Sequence, residues 1–341
     1  MSDEGPAARI VCFSAYRGNL RATALIRLFR QAGYQIILPK PHGPSSSILE
    51  LILTFLPNCW LALTCRADLA AGFKPQPNVS LPLLICKLRG IPTWIDVDDL
   101  DHAYRSGLLS RLVELYEKPF PRLFTMISYH NRRLRDYLVG PMHCAPERLF
   151  CIPQGVDYEL FAQSYQPASV SGVNGKPVAI YAAHLNVASD LEPVLQAWQI
   201  VAKKVTDCVL LIIGGGPLLG HFRKMAVEMG LAGRVQFTGE IAHADVPRHF
   251  AWGEIALLYM TPRLVNEYRC SLKLREYFAA GLKVVSNDVG ELSEYAHLIY
   301  QTGSGLGEFA AMIVRVLDGF DDGRQKVAQE FVREQLDWPQ I

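Results

Sequence analysis

The stretch CSLKLREYFAAGLKVVSNDVGE, Cys270 to Glu291, reads as a helix closed by Gly281, a short buried strand KVVSN and a second glycine turn. Ser271 is placed to cap this helix with its hydroxyl. The unpaired N–H groups of the first turn and the helix dipole then favour an anion. Glu276 follows about one and a half turns into the helix, near enough to the same end to reach a hydroxyl of whatever carries that anion. A nucleotide-linked ligand fits this pattern. An ordinary capped amphipathic helix fits the spacing as well, so other features must decide.

Outward from this unit the chain alternates short β-branched runs with helical stretches, twice over. Strands are expected at RIVCFSA, QIILP, DLAAGF, TWIDV, LFTMIS and RLFCIP, then at PVAIYAA, CVLLIIGG, RVQFTG, IALLYM, KVVSN and LIYQ. Helices fill the gaps, for example through Leu25, Leu28, Phe29 and Ala32. This alternation implies an α/β fold of two doubly wound parallel sheets, with ligands beyond the carboxyl ends of the strands. The polar, glycine- and serine-rich run 162–177 reads as a linker between a domain at 1–161 and a second at 178–320, with a last helix at 321–341.

The chain has 341 residues, half of them apolar, which suits two enzyme-sized domains. A formal charge of +1 gives no global preference for nucleic acid, so any anion site is local. Eight scattered cysteines without a C-x-x-C pair suggest reduced thiols and a cytoplasmic setting, and the first residues show no apolar leader. The apolar run Ile48 to Thr64, interrupted by Glu50, Pro57 and Asn58, reads as two short packed helices. The other reading is an apolar patch for peripheral contact at the inner membrane face, or for a lipid-linked acceptor.

Several residues stand out as candidates. In SAYRGNLRAT, Gly18 marks a strand-to-helix turn that permits close approach of a ligand, with Arg21 in the first helical turn and Arg17 beside it. WIDVDDLDH places Asp96, Asp98, Asp99 and Asp101 at a strand end, followed by His102. So many carboxylates need a cation, a proton or solvent. A D-x-D metal site is the minor reading, because the anion site at a helix end needs no metal. Asp96 could instead be a structural hydrogen-bond acceptor, and His130 a helix cap or surface residue. In IIGGGPLLGHF, Gly214, Gly215 and Gly216 form a turn that would let a nucleotide or sugar approach, although Leu219 breaks the dinucleotide fingerprint.

Three motifs in order carry a resemblance. Ser271 to Ser286 resembles the donor-site signature of the family 4 retaining glycosyltransferases (glycosyl transferases group 1), which have the GT-B fold, with Leu272 and Lys283 where prolines are usual. IPQGVDYELF, Ile152 to Phe161, is similar to the family's interdomain motif, and LLIIGGGP, Leu210 to Pro217, to its glycine turn. The resemblance implies two Rossmann-like domains facing across a cleft, a nucleoside-diphosphate sugar as donor, no cofactor and no metal. It implies transfer of a hexosyl-type sugar with retention to an acceptor glycan, lipid-linked or small-molecule, bound by the first domain. It places Asp98 and Asp99 on the acceptor side, and Gly18 and Arg21 near the donor diphosphate or acceptor. It gives Gly214 to Gly216, Arg263, Ser271, Leu272, Lys273 and Glu276 to the donor, with Glu276 on the ribose hydroxyls. The terminal helix is expected to return towards the first domain.

The chain also departs from the family. Tyr268 stands where its first motif glutamate is usual, and YAAHLNVASD lacks the basic pair that binds the diphosphate. Lys273, Arg269 and Arg263 are the local cations that could substitute. Alternatives therefore stay open: a sugar-nucleotide epimerase or hydrolase, or a catalytically silent sugar-nucleotide-binding protein.

Overall fold

A computed structural model describes residues 7–15, 18–39 and 48–341, and the chain divides into two compact units. Unit one comprises residues up to Gln154 together with Tyr268–Cys270; unit two comprises Gly155–Glu267 and Ser271–Ile341. Arg17 and the first six residues, where the leader reading falls, lie outside the described residues.

Unit one holds β1 (Arg9–Ser14), β2 (Gln35–Ile37), β3 (Leu69–Phe73), β4 (Thr93–Asp96), β5 (Met126–Tyr129) and β6 (Leu149–Cys151). They form one parallel sheet in the order β2-β1-β3-β4-β5-β6. The order reverses between β1 and β3, so the loops leaving their carboxyl ends frame the natural ligand position of this sheet. On one face Val11, Phe13, Ile95 and Ile127 join the core with Val79, Leu83 and Leu138 from helices. On the other, Trp94 meets Phe29 and Phe150 with ring centroids 5.5 and 6.0 Å apart.

Unit two holds β7 (Val178–Ala182), β8 (Val209–Ile213), β9 (Val235–Phe237), β10 (Ile255–Leu258), β11 (Lys283–Asn287) and β12 (Tyr300–Thr302). This second parallel sheet runs β12-β11-β10-β7-β8-β9, the dinucleotide-fold order with its reversal between β7 and β10. Strand β7 shows why both faces must be covered. Val178, Ile180 and Ala182 enter one core layer, and Ala179 and Tyr181 the other.

All twelve expected strands occur among the described residues. The expected linker differs. Residues 162–177 lie within unit two, where Val173 is fully buried and Trp252 donates its indole N–H to the Ala168 carbonyl at 2.7 Å. Polar composition concealed that anchoring, and the boundary between units falls earlier, at Gln154. Gly155 has no room for a side chain, because a Cβ there would stand 2.5 Å from the Trp338 ring. The last helix, Arg324–Gln335, belongs to unit two, where Gln329 donates to the Ala279 carbonyl at 2.9 Å. Ile48–Thr64 is one helix that passes through Pro57, not two. Arg89 donates to the Ala62 and Cys65 carbonyls at 2.6 and 2.8 Å and so satisfies its end.

Candidate active site

In unit two the sequence-derived donor residues gather at the carboxyl end of the sheet. Helix Leu272–Ala279 starts from Ser271, but the Ser271 hydroxyl makes no cap hydrogen bond. The fully buried carboxylate of Glu291 accepts the Ser271 N–H instead. Arg275 Nη1 fixes Glu291 Oε1 at 2.7 Å and reaches back to the Ser271 carbonyl at 3.1 Å, while its Nη2 donates to the Tyr295 hydroxyl at 2.9 Å. A side-chain anion therefore already sits at this helix start, which spacing within the helix could not reveal. Leu272 is the first helical residue and Lys273 the second.

Glu276 has no exposed surface, yet both of its oxygens are engaged. Oε2 accepts from Lys273 Nζ at 2.8 Å and Oε1 faces His243 Nε2 at 2.8 Å. Burial alone would push this carboxyl up, but Lys273 and His243 outweigh it and hold Glu276 below the usual carboxylate range. His243 comes from a one-turn helix, His243–Asp245, beyond β9, and no local pattern in the sequence marks it.

Gly214 to Gly216 answer to the chain's own packing. A Cβ on Gly214 would stand 2.1 Å from the Ala183 carbonyl oxygen, one on Gly215 2.8 Å from the Glu240 nitrogen, and one on Gly216 2.5 Å from the Leu185 oxygen. The glycine requirement is thus set by the loop after β7 at Gly214 and Gly216 and by the turn after β9 at Gly215, and the loop after β7 donates Leu185 N–H to the Gly215 carbonyl at 2.8 Å. Arg263 likewise has an internal partner. Its Nη2 meets Asp190 Oδ1 at 2.5 Å, where Thr261 Oγ1 also donates at 2.7 Å, and Asn266 Nδ2 donates to Asp190 Oδ2 at 2.8 Å. Asp190 precedes helix Leu191–Lys204 with a left-handed φ of 51°. Beside this network a cavity of about 470 Å³ opens at the β7/β10 reversal, lined by Asn186, Ser189, Gln196, His221 and Arg263 among others.

Unit one gathers the other candidates. Gly18 turns with φ 78°, and Asn19 caps helix Leu20–Gln31 by accepting Ala22 N–H at 2.9 Å. Arg21 is buried and fully committed. It pairs with Asp96 through Nε at 2.8 Å and Nη2 at 2.9 Å, and donates to the Ile152 and Pro153 carbonyls. These bonds make Arg21 and Asp96 a structural clamp between β4 and the chain after β6. The remaining carboxylates surround a residue that sequence reading passed over. Lys74, with left-handed φ 69° at the end of β3, places Nζ 3.6 Å from Asp98, 3.3 Å from Asp99 and 3.5 Å from Asp101. The positive charge that the acidic run required is supplied by Arg21 and Lys74. Burial, reinforced by Asp99 and Asp96 and opposed by Lys74, raises Asp98 to about 7.

His130 is buried and donates Nε2–H to the Asp98 carbonyl; Asn131, not His130, caps the next helix. His102 is buried too, with Nδ1 2.8 Å from Glu117 Oε2, and Glu117 Oε1 accepts Asp101 N–H at 2.9 Å. Tyr268 packs edge-on against Tyr137 at 4.9 Å within this same unit, so the residue at the family's first glutamate position serves packing here.

Residues 176–319 match a family model described as glycosyl transferases group 1. A GDP-mannose-dependent alpha-(1-6)-phosphatidylinositol monomannoside mannosyltransferase of Mycolicibacterium smegmatis is 29% identical over 135 residues, 38% of this chain and 34% of that protein. The match thus spans about a third of that relative's length. Among solved structures, sucrose-phosphate synthase from Thermosynechococcus elongatus superposes with TM-score 0.75 at 15% identity, over 97% of this chain and 96% of that one. Anabaena HepE in complex with UDP-glucose gives TM-score 0.67 at 15% identity, over 97% and 96%. The fold is GT-B, as the resemblance implied.

Proposed function

We propose that the chain transfers a sugar from a nucleoside-diphosphate sugar to an acceptor hydroxyl, a reading that starts from the match of residues 176–319 to the glycosyl transferases group 1 model. One observation carries this reading. Glu276, Lys273 and His243 converge beside a helix start at the carboxyl end of a sheet with dinucleotide-fold order. On donor binding the Glu276 carboxylate accepts from the ribose hydroxyls and releases Lys273 towards the diphosphate, where negative charge grows as the glycosidic bond breaks. The names of the relatives favour GDP-mannose and UDP-glucose as the donors to try first. Transfer proceeds with retention and without a metal.

Unit one binds the acceptor, and Asp98, raised to about 7, is poised to accept or return the proton of its hydroxyl. Helix Ile48–Thr64 exposes Leu56 and Trp60, which supports peripheral contact with a membrane carrying a lipid-linked acceptor. No helix among the described residues is long and apolar enough to cross a membrane.

A second reading, a silent sugar-nucleotide-binding protein, is favoured by the pairing of two of the three candidate cations, Lys273 with Glu276 and Arg263 with Asp190. Incubation with each nucleotide sugar, followed by measurement of released nucleoside diphosphate, separates the two. Turnover supports the enzyme, whereas binding without product supports the silent protein.

A further inference from the structure

Unit one contains a cavity of about 370 Å³ to which Asp101 contributes from the acidic run. Its walls are mainly apolar, from Pro75, Pro77, Leu112, Val113 and Tyr116, and its polar edge is Gln76, Asp101, Arg105 and Glu117. The edge is joined to the acidic cluster: Gln76 Nε2 donates to Asp101 Oδ2 at 2.7 Å, and Asp101 shares Lys74 with Asp98.

Two further features say what the cavity takes. Leu112 belongs both to its wall and to an exposed apolar face of helix Gly107–Glu117. On that face Leu108 and Leu115 are each 73% exposed and about two turns apart, with Leu112 between them in an i, i+4, i+7 series. The apolar lining therefore continues out of the cavity along a track suited to a flexible chain. At the edge, the exposed Arg105 side chain has no ion pair among the described residues, which complements an anionic group. We propose that this cavity binds an amphiphilic acceptor, its alkyl or prenyl chain against Leu112 and Val113 and a phosphate linking group against Arg105. The acceptor's hydroxyl-bearing part then lies towards Asp101 and Asp98. This rests on the glycosyltransferase reading with its lipid-linked acceptor, and adds to it the place where the acceptor's chain and anionic linking group are held.

The test uses the full chain with inorganic phosphate and butyl, hexyl and octyl phosphate as probes, below micelle formation, followed by calorimetry. Affinity should rise about fourfold per added methylene as the chain enters the cavity, with no measurable binding of inorganic phosphate. Leu112→Asp, at a half-exposed position the fold tolerates, should abolish the dependence on chain length. Arg105→Ala should weaken every alkyl phosphate alike and keep the slope. Binding independent of chain length, or a slope unchanged in Leu112→Asp, overturns the proposal. Binding of GDP and UDP, measured on the same variants, should be unaltered. Failure of both nucleotides to bind would count against the glycosyltransferase reading, while the chain-length series still decides whether the cavity takes an amphiphile.

Discussion

The Glu276 carboxylate, with no exposed surface, is held by Lys273 Nζ at 2.8 Å, one turn away on the same helix. Lys273→Met leaves this carboxylate with His243 as its remaining side-chain partner and should cost about 1–2 kcal/mol, less than a fully buried pair because Lys273 is partly exposed. The sign follows from the lowered Glu276 pKa. Its stabilising contribution is present above the ordinary glutamate range and is lost as pH falls through the folded-state value. Urea titrations should therefore show the wild type and Lys273→Met differing most near neutral pH and converging in acid.

Asp98 behaves in the opposite sense. Its pKa is raised to about 7, so the folded state favours the protonated carboxyl, and this contribution is lost as pH rises from the ordinary aspartate range through about 7. Asp98→Asn should flatten that part of the stability profile. If Asp98 carries the acceptor proton, the same substitution should remove a kinetic inflection near 7 and lower turnover roughly 100-fold. A turnover profile identical to wild type would exclude Asp98 from proton transfer. Lys74→Met should push the inflection to higher pH, because Lys74 is the cation that opposes the rise.

The glycine turn after β8 offers a test within the fold. Gly216→Ala should destabilise by about 3 kcal/mol, since its Cβ meets the Leu185 carbonyl at 2.5 Å and φ is 146°. Gly220→Ala, inside helix Leu219–Glu228 with nothing within 4 Å of the new Cβ, should gain about 0.5–1 kcal/mol. Thermal denaturation of the pair checks both signs. A tolerated Gly216→Ala would mean that the loops after β7 and β8 are not packed as described.

The fold was legible because parallel strands covered on both faces leave short, continuous apolar runs, and each of the twelve is separated from the next by a helix or a turn. The helix of Leu272–Ala279 was legible from its start at Ser271 and its stop at Gly281. The pairings at the site were not. Lys74 meets Asp99 and Asp101 only because β3 and β4 are neighbours, and His243 reaches Glu276 from beyond β9. Nothing in local periodicity encodes such partners. Arg21 shows the same limit: a residue in a first helical turn looks exposed until the sheet delivers Asp96 and two carbonyls to it. Glu291 lay within the most informative stretch, but its bond to Ser271 depends on how the turn after β11 folds back.

Glu291 and Arg275 form a pair with almost no exposed surface, 2.7 Å apart. Glu291→Ala strands a buried guanidinium and frees the Ser271 N–H, so it should destabilise unit two by about 3–5 kcal/mol, measured by urea denaturation. A loss under about 1 kcal/mol would mean that Arg275 finds water or another partner.

The most direct measurement is calorimetric titration of GDP-mannose and UDP-glucose into the wild-type chain and into folded Glu276→Ala and Glu276→Gln variants. The expected result is that at least one of these nucleotide sugars binds the wild type. Glu276→Ala should then lose about 10- to 100-fold in affinity, and Glu276→Gln should recover part of it, because an amide oxygen still accepts from a ribose hydroxyl. Absence of binding by either nucleotide sugar, or unchanged affinity in folded Glu276→Ala, would contradict the placement of the donor at the helix Leu272–Ala279.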